Sequence, residues 1–412
     1  MVLEVLCVRS AEPYGEGFAG RNLIPNCRSA MFLSTLELYH FRNYVQERLI
    51  FSPAGALIRG GNGQGKSNLL EAIYFLSLGK SARGAMDADV AAYEDQVFSV
   101  RGEISGEADV FSIFVEYDAV RGKRIYIDRQ ALSRVSSLIG HFHSVLFSPE
   151  DVDLVLRFPV GRRRILDALL AQESRAYLAD LLRYRRILSQ RNSLLKRIAR
   201  EGVQADRLLR PWDEELAACG ARIIRKRMDL IQDLEANFAR FYLDLTSGDE
   251  EASLLYESTV CSEGTFDGVD PFIEALVKKR AEEIRVRYTL SGPHRDDVRI
   301  CVNGHDLQKF GSQGQLKSVL LAWKLAEATF LRHASGHWPV LLLDDVFSEL
   351  DRRRCMVLLD RLSAFGQVFL TAAREEDLPL SEMGFDEVVI EHGKCIAAAN
   401  AGSSTTAGKA AC

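Results

Sequence analysis

The hydrophobic pattern changes period along the chain. Between residues 31 and 160 the segments "FLSTLELY", "VFSIFVEYD", "RIYID" and "SVLFS" read as short strands separated by turns and one glycine-rich loop. From 161 to 286 the alternation gives way to steps of three and four, the period of helices. Leu178, Leu181 and Leu182 share a face, followed by Leu188, Leu194, Leu195 and Ile198. After "RPWDEE" a second stripe runs through Leu216, Ile223, Ile224, Ile231, Leu234, Phe238, Phe241 and Leu245. "DPFIEALVKKRAEEI" opens a third helix, with Asp270 as N-cap and Pro271 at its first position. Strand character is expected again at Arg287–Leu290, and it dominates "VLLLDDV" and "QVFLT". The pattern predicts an α/β domain, 31–160 and 287–395, interrupted by a helical insertion at 161–286. No internal repeat is visible.

Both ends lack this patterning. Residues 1–30 form no clean apolar signal region, because Glu4, Glu12 and Glu16 interrupt it. The sharp pattern begins at Met31, the expected functional start, with 1–30 a dispensable extension. The tail 396–412 is small and polar, and is expected to be disordered.

Composition narrows the class. The 412 residues are 47% hydrophobic and 26% charged, ordinary for a globular protein of two or three domains. A net charge of −5 excludes a uniformly basic coat but not local patches. Eight scattered cysteines without a C-x-x-C pair fit reduced thiols and a cytoplasmic protein. No apolar run approaches the ~20 residues that span a bilayer.

Candidate chemistry begins at "GGNGQGKSNLLEAIYFL". Gly60, Gly61, Asn62, Gly63, Gln64, Gly65, Lys66 and Ser67 spell G-x-x-x-x-G-K-S between an apolar strand and a helix. Glycines let successive N–H groups turn inward around a phosphate, and the helix N-terminus adds its positive end. Lys66 would reach the β- and γ-phosphates of ATP and the Ser67 hydroxyl would ligate Mg. A chance glycine turn is the bland reading, and the flanking strand and helix argue against it. "VLLLDDVFSELD" supplies two carboxylates, Asp344 and Asp345, at the end of a buried strand. Adjacent strand residues point oppositely, so Asp344 is expected toward the metal and Asp345 toward the attacking water. The competing reading makes them helix caps, but Asp351 is better placed before "RRRCMVLLDRL". Ser312, Gln313, Gly314 and Gln315 precede a long amphipathic helix and would again turn N–H donors toward an anion. A loop of this kind about 30 residues before the acidic strand is the arrangement of ABC-type ATPases. His141 and His143 would share a strand face, but no third metal ligand is evident.

These stretches, with "LELYHFRNY", "LFSPEDV" and "SGPHRDDV", occur in one order, and in that order the chain resembles the RecF family of bacterial recombinational repair proteins over about 31–393. The resemblance implies a P-loop ABC/SMC-like ATPase head with an inserted helical arm. Gly60–Ser67 is similar to the family's Walker A loop, Asp344 and Asp345 to its Walker B pair, and Ser312–Gln315 to its signature loop. Ser348–Asp351 resembles the D-loop, and Arg42 and Asn43 match residues near the nucleotide in related heads. It also implies that one chain holds half a site, completed in an ATP-dependent homodimer. Two elements of related heads are missing. "VFLTAARE" offers Thr371 where a switch histidine is usual, and "LFSPEDV" has no Q-loop glutamine, so slow hydrolysis is expected. The implied role is binding of gapped DNA at single-strand/double-strand junctions and loading of RecA with RecO and RecR, in the cytoplasm at the nucleoid.

Charge is concentrated within the insertion. Residues 161–200 hold eleven Arg or Lys against three acids, interleaved with Tyr177 and Tyr184. Such unmixed positive density suits phosphate backbones. Arg183, Arg185, Arg186, Lys196 and Arg197 are the DNA-binding candidates, in a run that also contains Arg162–Arg164, Arg191 and Arg200. A transporter subunit would have a shorter intervening domain and need a membrane partner, and no helicase motif set is present. An SMC-like structural DNA clamp without RecA loading is the alternative, although the insertion is too short for a long coiled coil, allowing at most roughly 90 Å of helix each way at 1.5 Å per residue.

Overall fold

The computed structural model describes residues 31–399 apart from 92–95, 107–108, 203–204, 262–265, 267 and 373–383. The expected N-terminal extension and residues 400–412 of the expected tail lie outside these.

The chain opens with β1 (Phe32–Phe41), β2 (Tyr44–Ile50), β3 (Gly55–Arg59), α1 (Lys66–Leu78) and the single turn α2 (Asp87–Val90). Strands β4 (Val97–Ser105), β5 (Val110–Asp118), β6 (Gly122–Ile127), β7 (Gln130–Ala131) and β8 (Ser144–Phe147) follow. Helices α3 (Pro149–Arg157), α4 (Pro159–Glu173), α5 (Arg175–Glu201) and α6 (Ala205–Leu245) lead to β9 (Ala252–Glu257) and α7 (Val269–Val286). The return comprises β10 (Asp297–Val302), β11 (His305–Asp306), α8 (Leu307–Phe310) and α9 (Gln313–Ser335). It ends with β12 (Val340–Leu343), α10 (Arg352–Leu362), β13 (Val368–Ala372), β14 (Asp386–Glu391) and β15 (Lys394–Ala399).

Two six-stranded sheets make the head. One is an antiparallel meander in the order β2-β1-β4-β5-β6-β7. The other runs β15-β14-β3-β13-β12-β8 and is parallel except for β15. Its strands are buried on both faces, and side chains two apart share a face. Ala56, Ile58, Val340, Leu342 and Phe369 join one core with α1 and the meander. Leu57, Leu341, Leu343, Val368 and Leu370 join the other with α9 and α10. Helix α1 lies between the two sheets, so most of it is buried.

The helical insertion is not a detached arm. Most of its buried residues, among them Leu166, Leu181, Ile224, Phe238 and Leu276, belong to the same core as α9 and β12, while Leu195, Ile198 and Leu209 form a small cluster of their own. Phe238 of α6 sits edge-on to Trp323 of α9 with ring centroids 6.4 Å apart. Several expectations change. Block 161–286 contains a strand, β9, which pairs with β10 and, through it, β11 in a small antiparallel sheet. Arg287–Leu290 is not a strand, because Arg287 adopts φ 65° and caps the end of α7, so strand pairing resumes only at Asp297. The N-cap of α7 is Gly268, with Asp270 inside its first turn. Helix α6 continues through Pro211, which costs one hydrogen bond near its start. Leu182 is exposed on α5, unlike Leu178 and Leu181. Strand β15 extends to Ala399, past the 396 boundary expected for the tail.

Buried ion pairs fasten the insertion to the head and its own helices to one another. Arg162 grips the Asp297 carboxylate with two bonds of 2.7 Å. Arg191, fully buried, joins Asp213 of α6 and Glu283 of α7 at 2.7 Å each, and Thr289 at 2.8 Å. The "SGPHRDDV" turn between them is structural. Neutral His294 donates Nε2–H to the Thr289 carbonyl (3.1 Å) and accepts the Tyr184 hydroxyl on Nδ1 (2.7 Å). Protonation would turn Nδ1 into a second donor and leave that hydroxyl without its acceptor.

Burial, with Arg295, Arg163 and Arg191 nearby, pushes the His294 imidazole down to about 4. The unfolded chain, with an ordinary imidazole near ~6.5, binds more protons between these values. Stability from His294 is therefore complete above that ordinary value and falls as pH drops toward about 4. Urea unfolding of wild type should show this decline, while His294→Gln should lack its share of the slope at a lower overall stability. Parallel pH profiles would contradict the assignment.

Candidate functional site

The phosphate-type loop follows β3 and ends in α1. Gly60 has φ 153° and a Cβ there would lie 2.3 Å from the Ile390 carbonyl oxygen. Gly65 has φ 118° and a Cβ would lie 2.7 Å from Asn43 Nδ2. A side chain at Gly60 would run into the backbone of β14, and one at Gly65 would displace the Asn43 side chain and strain a backbone conformation that favours glycine. Two hairpins brace the loop. Asn43 Nδ2 donates to the Gln64 carbonyl (2.9 Å) and the Tyr44 hydroxyl donates to the Gly65 carbonyl (2.8 Å). From the opposite hairpin the Gly393 amide donates to the Gln64 carbonyl (2.9 Å), and the His392 amide to the Gln64 side chain (2.6 Å).

Lys66 folds back over the loop, its Nζ 2.8 and 2.9 Å from the Gly60 and Gly61 carbonyl oxygens. Burial lowers its pKa, while the Asp345 and Asp344 carboxylates pull the other way. An anion in the cradle would offer this ammonium a stronger partner than two neutral carbonyls. Next to it, the Ser67 hydroxyl donates to Asp344 Oδ1 at 3.0 Å. Thr371 Oγ1 donates to the same oxygen at 2.7 Å and accepts the Asp345 amide at 2.8 Å. Thr371, known from sequence only as the residue in the switch position, therefore holds both acidic residues in place.

The two acidic residues do not continue the strand alternation. Strand β12 stops at Leu343, and Asp345 adopts a left-handed φ of 46°. Ser67 and Asp344 present a hydroxyl and a carboxylate oxygen at a distance a hard cation could bridge, and these residue types fit Mg. Among the described residues no cluster of three or more His, Cys, Asp or Glu could hold a metal by itself, so a cation here would depend on phosphate and water oxygens. His141 and His143 precede β8 rather than share its face, and the His143 ring contacts the Gln172 carbonyl at 3.2 Å. A cavity of about 70 Å³ beside Ser67 and Asp344 is also lined by Glu71, Ser148, Glu150 and Asp151. "LFSPEDV" thus lies where a Q-loop would be sought, with carboxylates in place of glutamine.

Other sequence candidates are distributed differently. Arg42 is engaged in structure. It makes a bidentate pair with buried Glu71 at 3.0 Å and donates to the Asp89 carbonyl, which makes it a buttress of α1. Ser312 caps α9 in a reciprocal capping box with Gln315, whose side-chain amide also donates to Glu250 at 2.7 Å. Ser312, Gly314 and Gln315 do not line the cavity beside Ser67 and Asp344. Asp351 caps α10 through the Arg354 amide.

The basic run separates into two groups. Arg162 and Arg191 are buried in ion pairs, and Arg163 and Arg164 donate to the Asp296 and Ala82 carbonyls. That corrects the picture of unpaired positive density across 161–200. Arg185 pairs with Asp167 at 3.0 Å and Arg183 loosely with Glu215 at 3.4 Å. Arg186, Lys196 and Arg197 are exposed on α5.

Comparison with known proteins places this architecture. The model of the RecF/RecN/SMC N terminal domain matches residues 32–394. The "DNA replication and repair protein RecF" of Carboxydothermus hydrogenoformans is 38% identical over 373 residues, covering 88% of this chain and 99% of that protein. Two solved structures of a recombination mediator protein of the RecFOR pathway, RecF-ATPrS and RecF-ATP, superpose with TM-scores of 0.81 and 0.82. They are 35% and 34% identical and cover 89% and 90% of this chain and 98% of theirs. Sequence similarity and overall architecture agree along nearly the whole described length, and the chain belongs to the RecF family.

Proposed function

We propose that this protein is an ATP-driven DNA clamp of recombinational repair and replication restart, in which two chains close around two ATP molecules. The observation that carries it is the 3.0 Å contact between Ser67 and Asp344, with the Ser312–Gln315 cap outside their cavity. One chain then supplies the phosphate loop and the acidic pair, and its partner the cap of α9. The loop amides and Lys66 bind the β- and γ-phosphates, and Gln313 and Gly314 of the second chain present amides to the same γ-phosphate. Mg, held by Ser67 and Asp344, would neutralise the developing phosphate charge. Asp345 orients the attacking water. With Thr371 in place of a switch histidine, no side chain there takes up charge near neutral pH, which supports slow, DNA-stimulated hydrolysis acting as a timer.

The exposed basic residues of α5 support DNA contact through phosphates. The relatives' names, a DNA replication and repair protein and a recombination mediator of the RecFOR pathway, support work alongside RecO and RecR, to which this reading adds action at single-strand/double-strand junctions and RecA loading. Among the described residues no helix is long and apolar enough to cross a membrane.

Three substitutions separate the roles. Lys66→Ala should weaken ATP binding by about 10- to 100-fold, the value of one charged hydrogen bond, and abolish ATP-driven dimerisation. Ser312→Arg should leave ATP binding by one chain intact while blocking closure. Asp345→Asn should trap ATP and prolong the dimer and its hold on DNA. Sedimentation with filter-bound nucleotide distinguishes these outcomes, and normal dimerisation of Ser312→Arg would contradict the shared site.

DNA contact has its own test. Lys196→Gln and Arg197→Gln together should weaken binding across unrelated sequences and reduce the salt slope by about 0.9 per lost phosphate contact on duplex DNA. An unchanged slope would move the DNA surface off this end of α5.

A further inference from the structure

Helices α5 and α6 run antiparallel, cross-linked by Asp180 to Arg222, Arg183 to Glu215 and Arg191 to Asp213. Beside the second of these links the seam opens into a groove of about 440 Å³. Arg183, Arg186 and Gln190 line it from α5, and Pro211, Trp212 and Glu215 from α6. The α5 residues recur at steps of three and four, so they form one stripe along the helix. Trp212 is half-buried, packed against the core on one side while lining the groove on the other.

The groove's chemistry is specific. An indole provides a flat π surface, and two guanidiniums flank it. Arg186 has no ion-pair partner among the described residues, and the Arg183–Glu215 contact is long and exposed, so displacing it costs little. Gln190 and Glu215 offer hydrogen-bonding groups, including acceptors for ring and exocyclic N–H groups of a base. A volume of about 440 Å³ falls within the range of pockets that hold a small ligand.

We propose that this groove takes one unpaired nucleotide of single-stranded DNA, its base against Trp212 and its flanking phosphates on Arg183 and Arg186. Aromatic stacking combined with a basic track is how proteins hold single strands without strong sequence preference. Bases stacked within a duplex do not present a free face, so the groove selects the single-stranded side of a junction. The inference rests on the reading of α5 as a DNA-facing helix, and it names the element that distinguishes single strand from duplex.

The test uses the full chain and measures anisotropy with labelled oligothymidylate and with a duplex of equal length at one salt concentration. Trp212→Ala should weaken single-strand binding about tenfold, the usual effect of losing one stacked base, and leave duplex binding nearly unchanged. Trp212→Phe, which keeps an aromatic ring and tests stacking without emptying the site, should restore most of the affinity. Arg186→Gln should weaken both substrates. Of the three tryptophans, Trp323 is fully buried, and oligothymidylate should quench wild-type emission more strongly than that of Trp212→Phe. Equal single-strand binding by wild type and Trp212→Ala, or equal losses on both substrates, would overturn the nucleotide groove. If Arg186→Gln weakens both substrates while Trp212→Ala changes neither, the groove fails and the DNA-facing helix stands. If neither variant changes either substrate, both fail.

Discussion

The candidate nucleotide site depends on bringing Ser67 against Asp344, residues 277 positions apart whose oxygens lie 3.0 Å from each other. Closing so long a loop costs about 5 kcal/mol in chain entropy, whereas one hydrogen bond contributes about 1 kcal/mol. The contact is therefore a product of the surrounding sheet. Strands β3 and β12 both flank β13, and their C-terminal ends deliver the phosphate loop and the acidic pair to one edge. Thr371, near the end of the strand between them, ties Asp344 and the Asp345 amide together.

The insertion is part of that constraint. Most of its buried residues continue the core beneath the sheet. Arg162, Arg191 and Arg227 provide directional links, each to carboxylates or carbonyls of elements distant in sequence. Buried ion pairs of this sort offset their own desolvation only when geometry is good, and losing one partner leaves an uncompensated charge. They fix which helix sits where more than they add net stability. The consequence is that α5 and the strands carrying the candidate nucleotide site share one continuous core.

The sequence made the phosphate loop readable because the loop is contiguous and its glycines are required by backbone geometry. The acidic strand and the α9 cap were equally local signals. What escaped was tertiary pairing. Thr371 is one polar residue in an apolar strand, and nothing nearby in sequence points to Asp344. Arg42 looked free for a nucleotide until its carboxylate partner, Glu71, appeared 29 residues away. Arg162 and Arg191 looked like part of a DNA-binding face because their partners Asp297 and Glu283 lie 135 and 92 positions further on. Strand β9 was hidden by its length, six residues between two long helices. Charge counted along a window thus overstated the exposed surface, and the structure reduced it to a narrower stripe.

The central claim is that each nucleotide is held by two chains, the loop of one and the α9 cap of the other. Mixing the Lys66→Ala chain with the Ser312→Arg chain tests it directly. Neither variant should form an ATP-dependent dimer by itself. In the mixed dimer the intact loop of the Ser312→Arg chain faces the intact cap of the Lys66→Ala chain, restoring one complete site. Sedimentation of the mixture with ATP should reveal a heterodimer carrying one bound nucleotide. A mixture that behaves as the sum of its two inactive components would contradict the shared site and leave each chain as a self-contained ATPase.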